Sequence, residues 1–323
     1  MIVSPLDVRR ETSLAAALGL LRQPGWVPMG GGTDLRATIE LGIAHPAGAV
    51  DVRPVLELQE ISGADDGAVR IGAACPIAYI AGNPVIQRHY PMLAVACTGW
   101  GTASVQETST IGGSLAQRPQ CSYYRRSVPC LKNSGSTCPA HDGGSTHMAI
   151  LEGGPCWMVH PSDPAVALVA LDAVIELASD AGVRTVMASD FFVLPVDRMD
   201  RETVLHDAEL ITGILLPHVA RGGLQSYARH VQDGPGFFDF VSLAAARRVD
   251  GDVRLVLGGV SPRPYRVYTS VEEEAMSGGL DDEGIAGLAE RALLDADPLS
   301  MNGDKVGVAA TFLRDAITMI AAE

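Results

Sequence analysis

Hydrophobic and polar positions along the chain fall into short blocks, and each block predicts one helix or strand. Residues 5–25 carry leucines at helical spacing and predict an amphipathic helix that ends at Gly25. Two short apolar stretches, 26–29 and 48–55, predict strands, and the first of them runs directly into a run of glycines. These elements together predict a small α/β unit over residues 1–57.

A longer second region, residues 58–217, alternates predicted strands and helices, with Gly and Pro between them. In chain order, the pattern predicts a strand and a short helix over 67–82, a helix near 91–101, a helix that flows into a strand over 160–179, and strand segments over 184–195 and 208–217 that are each closed by proline. Its segment 118–158 has no clear period and contains most of the cysteines.

The third region, residues 218–323, is predicted to alternate strand, helix and strand over 226–267, with turns at Gly and Pro. Two amphipathic patterns, 282–296 and 305–323, then predict helices near the end of the chain. The three regions together predict an α+β fold in three parts.

Composition narrows the class of protein. With 323 residues, 47% of them hydrophobic, the chain is long and apolar enough to bury a sizeable core. Its net charge of −14 argues against a nucleic-acid surface, which needs clustered Lys and Arg. The chain contains no stretch of 18 apolar residues, so no membrane span is predicted, and no signal peptide is evident. The expected compartment is the cytoplasm, with export alongside a signal-bearing partner left open.

Six cysteines are unevenly distributed along the chain. Cys75 and Cys97 lie in apolar surroundings, which predicts buried thiols. The remaining four fall in the pattern C-x8-C-x7-C-x17-C, namely Cys121, Cys130, Cys138 and Cys156. Because cytosolic chains rarely keep disulfides, such a group indicates metal or redox chemistry. The spacing alone leaves a metal site and four unrelated thiols equally open.

Two glycine loops each follow apolar sequence. They consist of Met29, Gly30, Gly31, Gly32, Thr33, Asp34 and Leu35, and of Thr110, Ile111, Gly112, Gly113 and Ser114. Glycine lets the backbone approach a ligand closely, and successive amides can point at an anion. Neither loop has the dinucleotide or P-loop motif. Each could be an ordinary turn, but the pair predicts a clamp for one diphosphate.

These motifs, in this order and at these distances, resemble a known family. MGGGTDL, TIGGSLAQRP, HPSDPAVALVALDA and the C-terminal FDFVSLAAA with VRLVLGGVSPRPYRV are similar to the FAD-binding medium subunits of molybdenum hydroxylases, such as xanthine dehydrogenase, carbon monoxide dehydrogenase and aldehyde oxidoreductase. The resemblance covers nearly the whole chain. It implies a PCMH-type, vanillyl-alcohol-oxidase-like FAD-binding fold in two subdomains, 1–57 and 58–217. A C-terminal α/β domain of the carbon monoxide dehydrogenase flavoprotein type would follow over 218–323.

The same resemblance implies which residues bind the cofactor. Both glycine loops would hold the FAD diphosphate and ribityl, and Asp163 would hydrogen-bond the cofactor near its sugar or ribityl portion. Leu215, or its neighbour Leu216, would pack near the flavin or adenine, and Arg229 would lie near the flavin. Core packing is the simpler interpretation of the leucines. Core packing is likewise the simpler interpretation of Phe237 and Phe238, although they too could approach the flavin.

The cysteine segment resembles one branch of the family. Segment 118–158 is similar to the insert that carries an extra [4Fe-4S] cluster in the periplasmic aldehyde oxidoreductase and, with other spacing, in 4-hydroxybenzoyl-CoA reductase. A cubane cluster needs four thiolates, which Cys121, Cys130, Cys138 and Cys156 would supply. A structural zinc site with four thiolates is the alternative.

The resemblance implies an electron-transfer flavoprotein subunit with no catalytic acid–base residue of its own. A large partner with a molybdenum cofactor would transform the substrate, and a small partner with two [2Fe-2S] clusters would pass electrons to the FAD. An external acceptor would take them up, since FAD exchanges one or two electrons. A self-sufficient flavoprotein oxidase and a zinc-stabilised binding module are the two other hypotheses.

Overall fold

The computed structural model describes residues 6–63, 67–99, 101–231 and 240–322. The N-terminal part is a three-stranded parallel sheet in the order β1-β3-β2, with two helices. Its elements are β1 (Asp7–Arg10), α1 (Leu14–Leu21), β2 (Trp26–Met29), α2 (Thr33–Glu40) and β3 (Gly48–Asp51). Strands β2 and β3 confirm the prediction, and β2 ends where the first glycine loop begins.

The predicted helix over 5–25 is wrong in its first half. Residues Asp7–Arg10 form strand β1, which pairs in parallel with the buried strand β3, and helix α1 begins only at Leu14. Ser13 ends the extended segment because its hydroxyl accepts a hydrogen bond from the Ala16 amide at 3.3 Å. The helical leucine spacing begins only at Leu14, and the mostly polar residues before it pair with β3 as a strand.

The second part is built on a five-stranded antiparallel sheet with the order β4-β5-β8-β6-β7. Its strands are β4 (Ile61–Gly63), β5 (Val69–Gly72), β6 (Val174–Ser179), β7 (Gly182–Met187) and β8 (Leu210–Leu216). Its helices are α3 (Ile77–Gly82), α4 (Pro84–His89), α5 (Pro91–Gly99), α6 (Ala103–Thr108), α7 (Ile111–Leu115), α8 (Ser122–Arg125), α9 (Asp163–Ala170) and α10 (Ala188–Phe191). Every residue of α9 is buried, and α9 leads into β6 as the sequence predicts.

The C-terminal part is a four-stranded antiparallel sheet, β12-β11-β10-β9, covered by three helices. Its elements are β9 (Leu224–His230), β10 (Val241–Arg247), β11 (Val253–Gly258), β12 (Tyr265–Arg266), α11 (Thr269–Ser277), α12 (Asp282–Ala292) and α13 (Asp304–Ala321). The helix predicted between two strands is wrong, because β10 occupies that position. Since β10 pairs on both sides and is buried, its apolar run has no alternation that would identify a strand.

Three hydrophobic clusters support these parts. One joins α1 to β3, one fills the space between the five-stranded sheet and helices α3, α5 and α9, and one lies under α11–α13. Ile150 and Leu151, from the end of the cysteine segment, belong to the third cluster. No helix within the described ranges is long and apolar enough to cross a membrane.

Both lysines of the chain are buried, and both fasten the cysteine segment to its surroundings. Lys132 donates to the Met199 carbonyl at 2.8 Å. Lys305, on α13, donates to the carbonyls of Met148 (2.9 Å) and Gly259 (2.6 Å). No carboxylate among the described residues pairs with Lys305, and burial lowers its pKa from 10.5 to about 7.

Replacing Lys305 with methionine should flatten the pH dependence of stability. Between pH values of about 7 and 10.5 the unfolded chain binds a proton on Lys305 that the folded chain does not, so the wild-type free energy of unfolding rises with pH over this range. Relative to Lys305→Met, the wild type should gain about 3–5 kcal/mol across the range. Urea unfolding near pH 6.5 and near pH 10 measures this difference. Parallel profiles for the two proteins would contradict the prediction.

Candidate functional site

The two glycine loops meet along one cleft of about 650 Å³. The loop residues that line it are Met29, Gly30, Gly31, Gly32, Thr33, Asp34 and Leu35 from the first loop, and Thr110, Gly113 and Ser114 from the second. A Cβ atom at Gly30 would overlap Thr110 Oγ1, and one at Gly31 would overlap the Thr108 carbonyl oxygen. Only glycine therefore lets the first loop lie this close to the second.

The first loop has the geometry of an anion site. Gly32 has a φ of +70° and stands at the N-terminus of the eight-residue helix α2. No side-chain hydrogen bond caps this end, and the first-turn residues of α2, from Thr33 to Leu35, line the cleft. The positive end of the helix dipole adds to the attraction for a phosphate group. The loop is therefore suited to bind a diphosphate.

The second loop forms the short helix α7, and its amides bond within the chain. The amides of Ile111 and Gly112 donate to carbonyls of segment 73–75 at 3.0 and 2.9 Å. That of Gly113 donates to the Thr110 hydroxyl at 3.2 Å. We expected the backbone amides of both loops to bind the diphosphate, but those of the second loop are used within the chain, so only the first loop keeps this role. Thr110, Gly113 and Ser114 of the second loop line the cleft, whereas Ile111 and Gly112 are buried and do not line it.

Asp163 lies behind the second loop, at the start of α9. Its neighbour Ser162 shares a hydrogen bond of 2.8 Å with Ser114, which ties α9 to the loop. Asp163 itself is buried and does not line the cleft. Burial is the main cause that raises the pKa of the Cys97 thiol, and the nearby charge of Asp163 raises it further. Its predicted contact with the cofactor stays a prediction.

The two remaining predicted contacts also lie away from the cleft lining. Leu215 is in β8, paired with neighbouring strands on both sides. Arg229 is in β9 with its guanidinium against Gly99, where a Cβ would overlap it. The structure therefore does not bring Leu215 or Arg229 to the glycine loops. Phe237 and Phe238 lie outside the described residues.

The four clustered cysteines converge on one small cavity. Cys121, Cys130, Cys138 and Cys156 all line it, together with Pro119, Tyr123, Tyr124 and Lys132. None of the four is in a disulfide. Four thiols from distant positions of a 36-residue segment thus share one space, which the interpretation as unrelated thiols does not explain.

One of these thiols, Cys138, differs in its pKa from the other two cysteines, whereas burial raises the pKa of Cys121 as it raises theirs. A hydrogen bond between Cys138 and Cys156 lowers the pKa of Cys138 to about 6 and raises the pKa of Cys156. One of this pair therefore ionises readily, and the thiolate is the form that binds metals. Burial instead raises the pKa of Cys75 to about 11 and also raises the pKa of Cys97, and both thiols are buried as predicted.

The four cysteines share one cavity without being arranged around a single metal ion. Across the described ranges, no group of three or more His, Cys, Asp or Glu side chains is placed to hold one metal ion. A zinc ion needs four donors around one centre, whereas each iron of a cubane cluster binds one thiolate, so the sulfurs surround a larger body. The [4Fe-4S] cluster and the four-thiolate zinc site therefore both stay predictions.

Comparisons with known proteins show the family of this chain. Residues 4–219 match a family model described as the FAD binding domain in molybdopterin dehydrogenase. The chain is 36% identical over 264 residues to the aldehyde oxidoreductase FAD-binding subunit PaoB of Escherichia coli K12, covering 80% of this chain and 82% of that protein. The chain belongs to this family. It is therefore a subunit of oxidoreductase type, as the sequence predicts.

The chain is also similar to other proteins at lower identity. The chain is 26% identical over 296 residues to the glyceraldehyde dehydrogenase medium chain of Sulfolobus acidocaldarius, covering 90% of this chain and 88% of that protein. Among solved structures, quinoline 2-oxidoreductase from Pseudomonas putida 86 aligns with a TM-score of 0.76 at 20% identity, covering 100% of this chain and 99% of that one. Carbon monoxide dehydrogenase from Hydrogenophaga pseudoflava aligns with a TM-score of 0.74 at 22% identity and the same coverage. The family's fold therefore extends over all three parts.

The sequence analysis missed one wall of the cleft in this member of the family. The wall is segment 117–125, which we call the wall segment; it follows the second loop and contains the first clustered cysteine. Its residues that line the cleft are Gln117, Arg118, Gln120, Tyr124 and Arg125. The sequence places residues 117–119 in the TIGGSLAQRP motif and residues 118–125 in the cysteine insert, and neither placement assigns their glutamine and arginine side chains a contact with the cofactor. Their density beside a glycine loop was the only available signal.

Asp34 joins the first loop to the wall segment. Its carboxylate accepts hydrogen bonds from the Arg118 amide (2.9 Å), from Gln120 Nε2 (3.1 Å) and from Arg125 Nη2 (2.6 Å). Both carboxylate oxygens are therefore engaged within the chain. Asp34 lines the cleft as predicted, and its bonds show that it also holds the opposite wall in place.

Proposed function

We propose that this chain binds FAD in the cleft between its two glycine loops. The observation that carries the proposal is that both loops, predicted separately from sequence, line the same cleft. The diphosphate would lie against the first-turn amides of α2, and Thr110, Gly113 and Ser114 would contact it or the ribityl from the other side. Bound FAD would supply one- and two-electron redox chemistry at this position. Asp163, Leu215 and Arg229 remain proposed contacts for parts of the cofactor beyond the loops.

The cysteine cavity is proposed to hold a [4Fe-4S] cluster. Cys121, Cys130, Cys138 and Cys156 would supply one thiolate to each iron. The proposal is supported by the convergence of the four cysteines on one cavity, which Lys132, ion-paired with Glu202 at 2.8 Å, also lines. The cluster would carry single electrons, which complements the flavin.

We further propose that the chain is the electron-transfer subunit of a multi-subunit molybdenum hydroxylase. Family membership supports a large partner with a molybdopterin cofactor and a small partner with two [2Fe-2S] clusters, from which electrons would reach FAD and then an external acceptor. The relatives include an aldehyde oxidoreductase subunit and a glyceraldehyde dehydrogenase chain, so we propose an aldehyde-oxidising complex. The proposed compartment is the cytoplasm, or the periplasm if a partner carries the export signal.

Extraction of flavin from the purified complex tests the cofactor assignment. About one FAD per chain should be released, since the structure has one cleft lined by both loops. The flavin is identified by its absorbance and retention time after acid release. A folded chain that contains no FAD, even after incubation with excess FAD, would overturn the proposed function.

A further inference from the structure

Tyr124 is a wall common to the cofactor cleft and the cysteine cavity. Its side chain lines both spaces and is only 3% exposed. Arg118 Nε donates to its hydroxyl at 3.1 Å, and the guanidinium carbons of Arg118 and Arg125 lie 5.6 and 6.0 Å from the centre of its ring. A shift of the Tyr124 ring therefore changes the shape of the cofactor cleft and of the cysteine cavity together.

The wall segment depends on its neighbours for its conformation. Helix α8, which carries Tyr124 and Arg125, is a single turn of four residues, and a helix that short is not stable by itself. On one side Asp34 fixes it through the three hydrogen bonds described above. Arg125 also donates to the carbonyls of Pro119 (2.7 Å) and Arg118 (2.9 Å), which closes the segment on itself.

On its other side, the wall segment is held by the cysteine set. Cys121 immediately precedes α8, and its carbonyl accepts the Arg125 amide at 2.9 Å. A group bound by all four cysteines would therefore fix the position of Cys121 and with it the start of α8. The segment is thus the one structure among the described residues that contributes side chains to both spaces.

We propose that filling the cysteine cavity raises the affinity of the cleft for FAD, with Tyr124, Arg125 and Asp34 as the positioning residues. The inference rests on the proposed function, because it takes the cavity to hold the cluster and the cleft to hold FAD. A cluster ligated by Cys121 orders α8 and so preforms the cleft wall. Coupling of this kind is reciprocal, so bound FAD also retains the cluster.

A double-mutant cycle tests the coupling. Cys138 lines only the cysteine cavity, so Cys138→Ser removes the cluster without touching the cleft. FAD is titrated into flavin-free complex and followed by flavin fluorescence. Cys138→Ser should raise the Kd for FAD about 10-fold, within the usual range for coupled sites. In an Asp34→Asn background, where the link is already weakened, the same change should raise Kd less than about twofold.

The outcomes separate this inference from the proposed function. An iron-free Cys138→Ser complex with unchanged Kd would overturn the coupling while leaving FAD and the cluster in place, and so would an equal rise in both backgrounds. A wild-type complex without iron and sulfide would overturn the proposed cluster and the coupling together. If Cys138→Ser does not fold, the wild type still decides, because at equilibrium with a competing chelator the FAD-loaded complex should retain its iron to a chelator concentration at least about threefold higher than flavin-free complex does. Equal iron retention would overturn the coupling.

Discussion

FAD binding should fall at least about 100-fold when Gly31 is replaced by alanine, while the chain still folds. A Cβ at this position would overlap the Thr108 carbonyl oxygen, which is backbone and cannot rotate away. The first loop must then move away from the second, and the amides of α2 no longer align with the diphosphate. Losing two hydrogen bonds to a charged ligand costs about 3–6 kcal/mol, which sets this lower limit.

Gly19→Ala is the matched control for this loss. Gly19 lies in α1 of the same N-terminal part, and a Cβ there would meet no atom within 4 Å. Alanine also favours a helix over glycine, so this variant should be at least as stable as the wild type and bind FAD equally well. Titration of both variants with FAD gives the two Kd values. A Gly31→Ala chain with wild-type affinity would show that FAD does not use the contact between the loops.

Replacing Cys138 with serine should remove the iron and acid-labile sulfide from the chain. A wild-type chain with the proposed cluster contains about four irons, and a serine in place of one thiolate leaves the cluster without a full ligand set. The broad visible absorbance of the cluster should disappear with it. FAD should still bind when it is supplied in excess, because Cys138 does not line the cleft.

Cys97→Ala distinguishes this result from a general effect of losing a cysteine. Cys97 is fully buried in the core of the second part, away from the cysteine cavity. The variant loses some stability, as core truncations do, but should keep its full iron content. Iron in Cys138→Ser at the wild-type level, or zinc in place of iron in the wild type, would contradict the cluster assignment.

Local patterns predicted the parts of this fold that have a simple period. Helices α12 and α13 and the passage from α9 into β6 appear where the apolar spacing places them. Strand β10 was missed because a buried central strand lacks alternation, and β1 because its pairing with β3 is a long-range contact that no local pattern encodes. Tertiary contacts decided both cases.

The site was predictable where residue type limits the chemistry. Glycines and clustered cysteines identified the two loops and the cysteine set, since few other roles require them. The sequence could not indicate that Asp34 would bond the wall segment or that Tyr124 would line two spaces, because both depend on how segments some 80–90 residues apart pack together. The second loop's amides were assigned to the cofactor for the same reason: their carbonyl partners in segment 73–75 are not evident from the loop itself.

A structure of the FAD-loaded complex tests most directly whether FAD occupies the cleft between the two glycine loops. We expect density for the diphosphate at the N-terminus of α2, against Gly30 to Thr33, with Thr110 and Ser114 on the opposite side. FAD bound at another place on the chain, with this cleft empty, would contradict it.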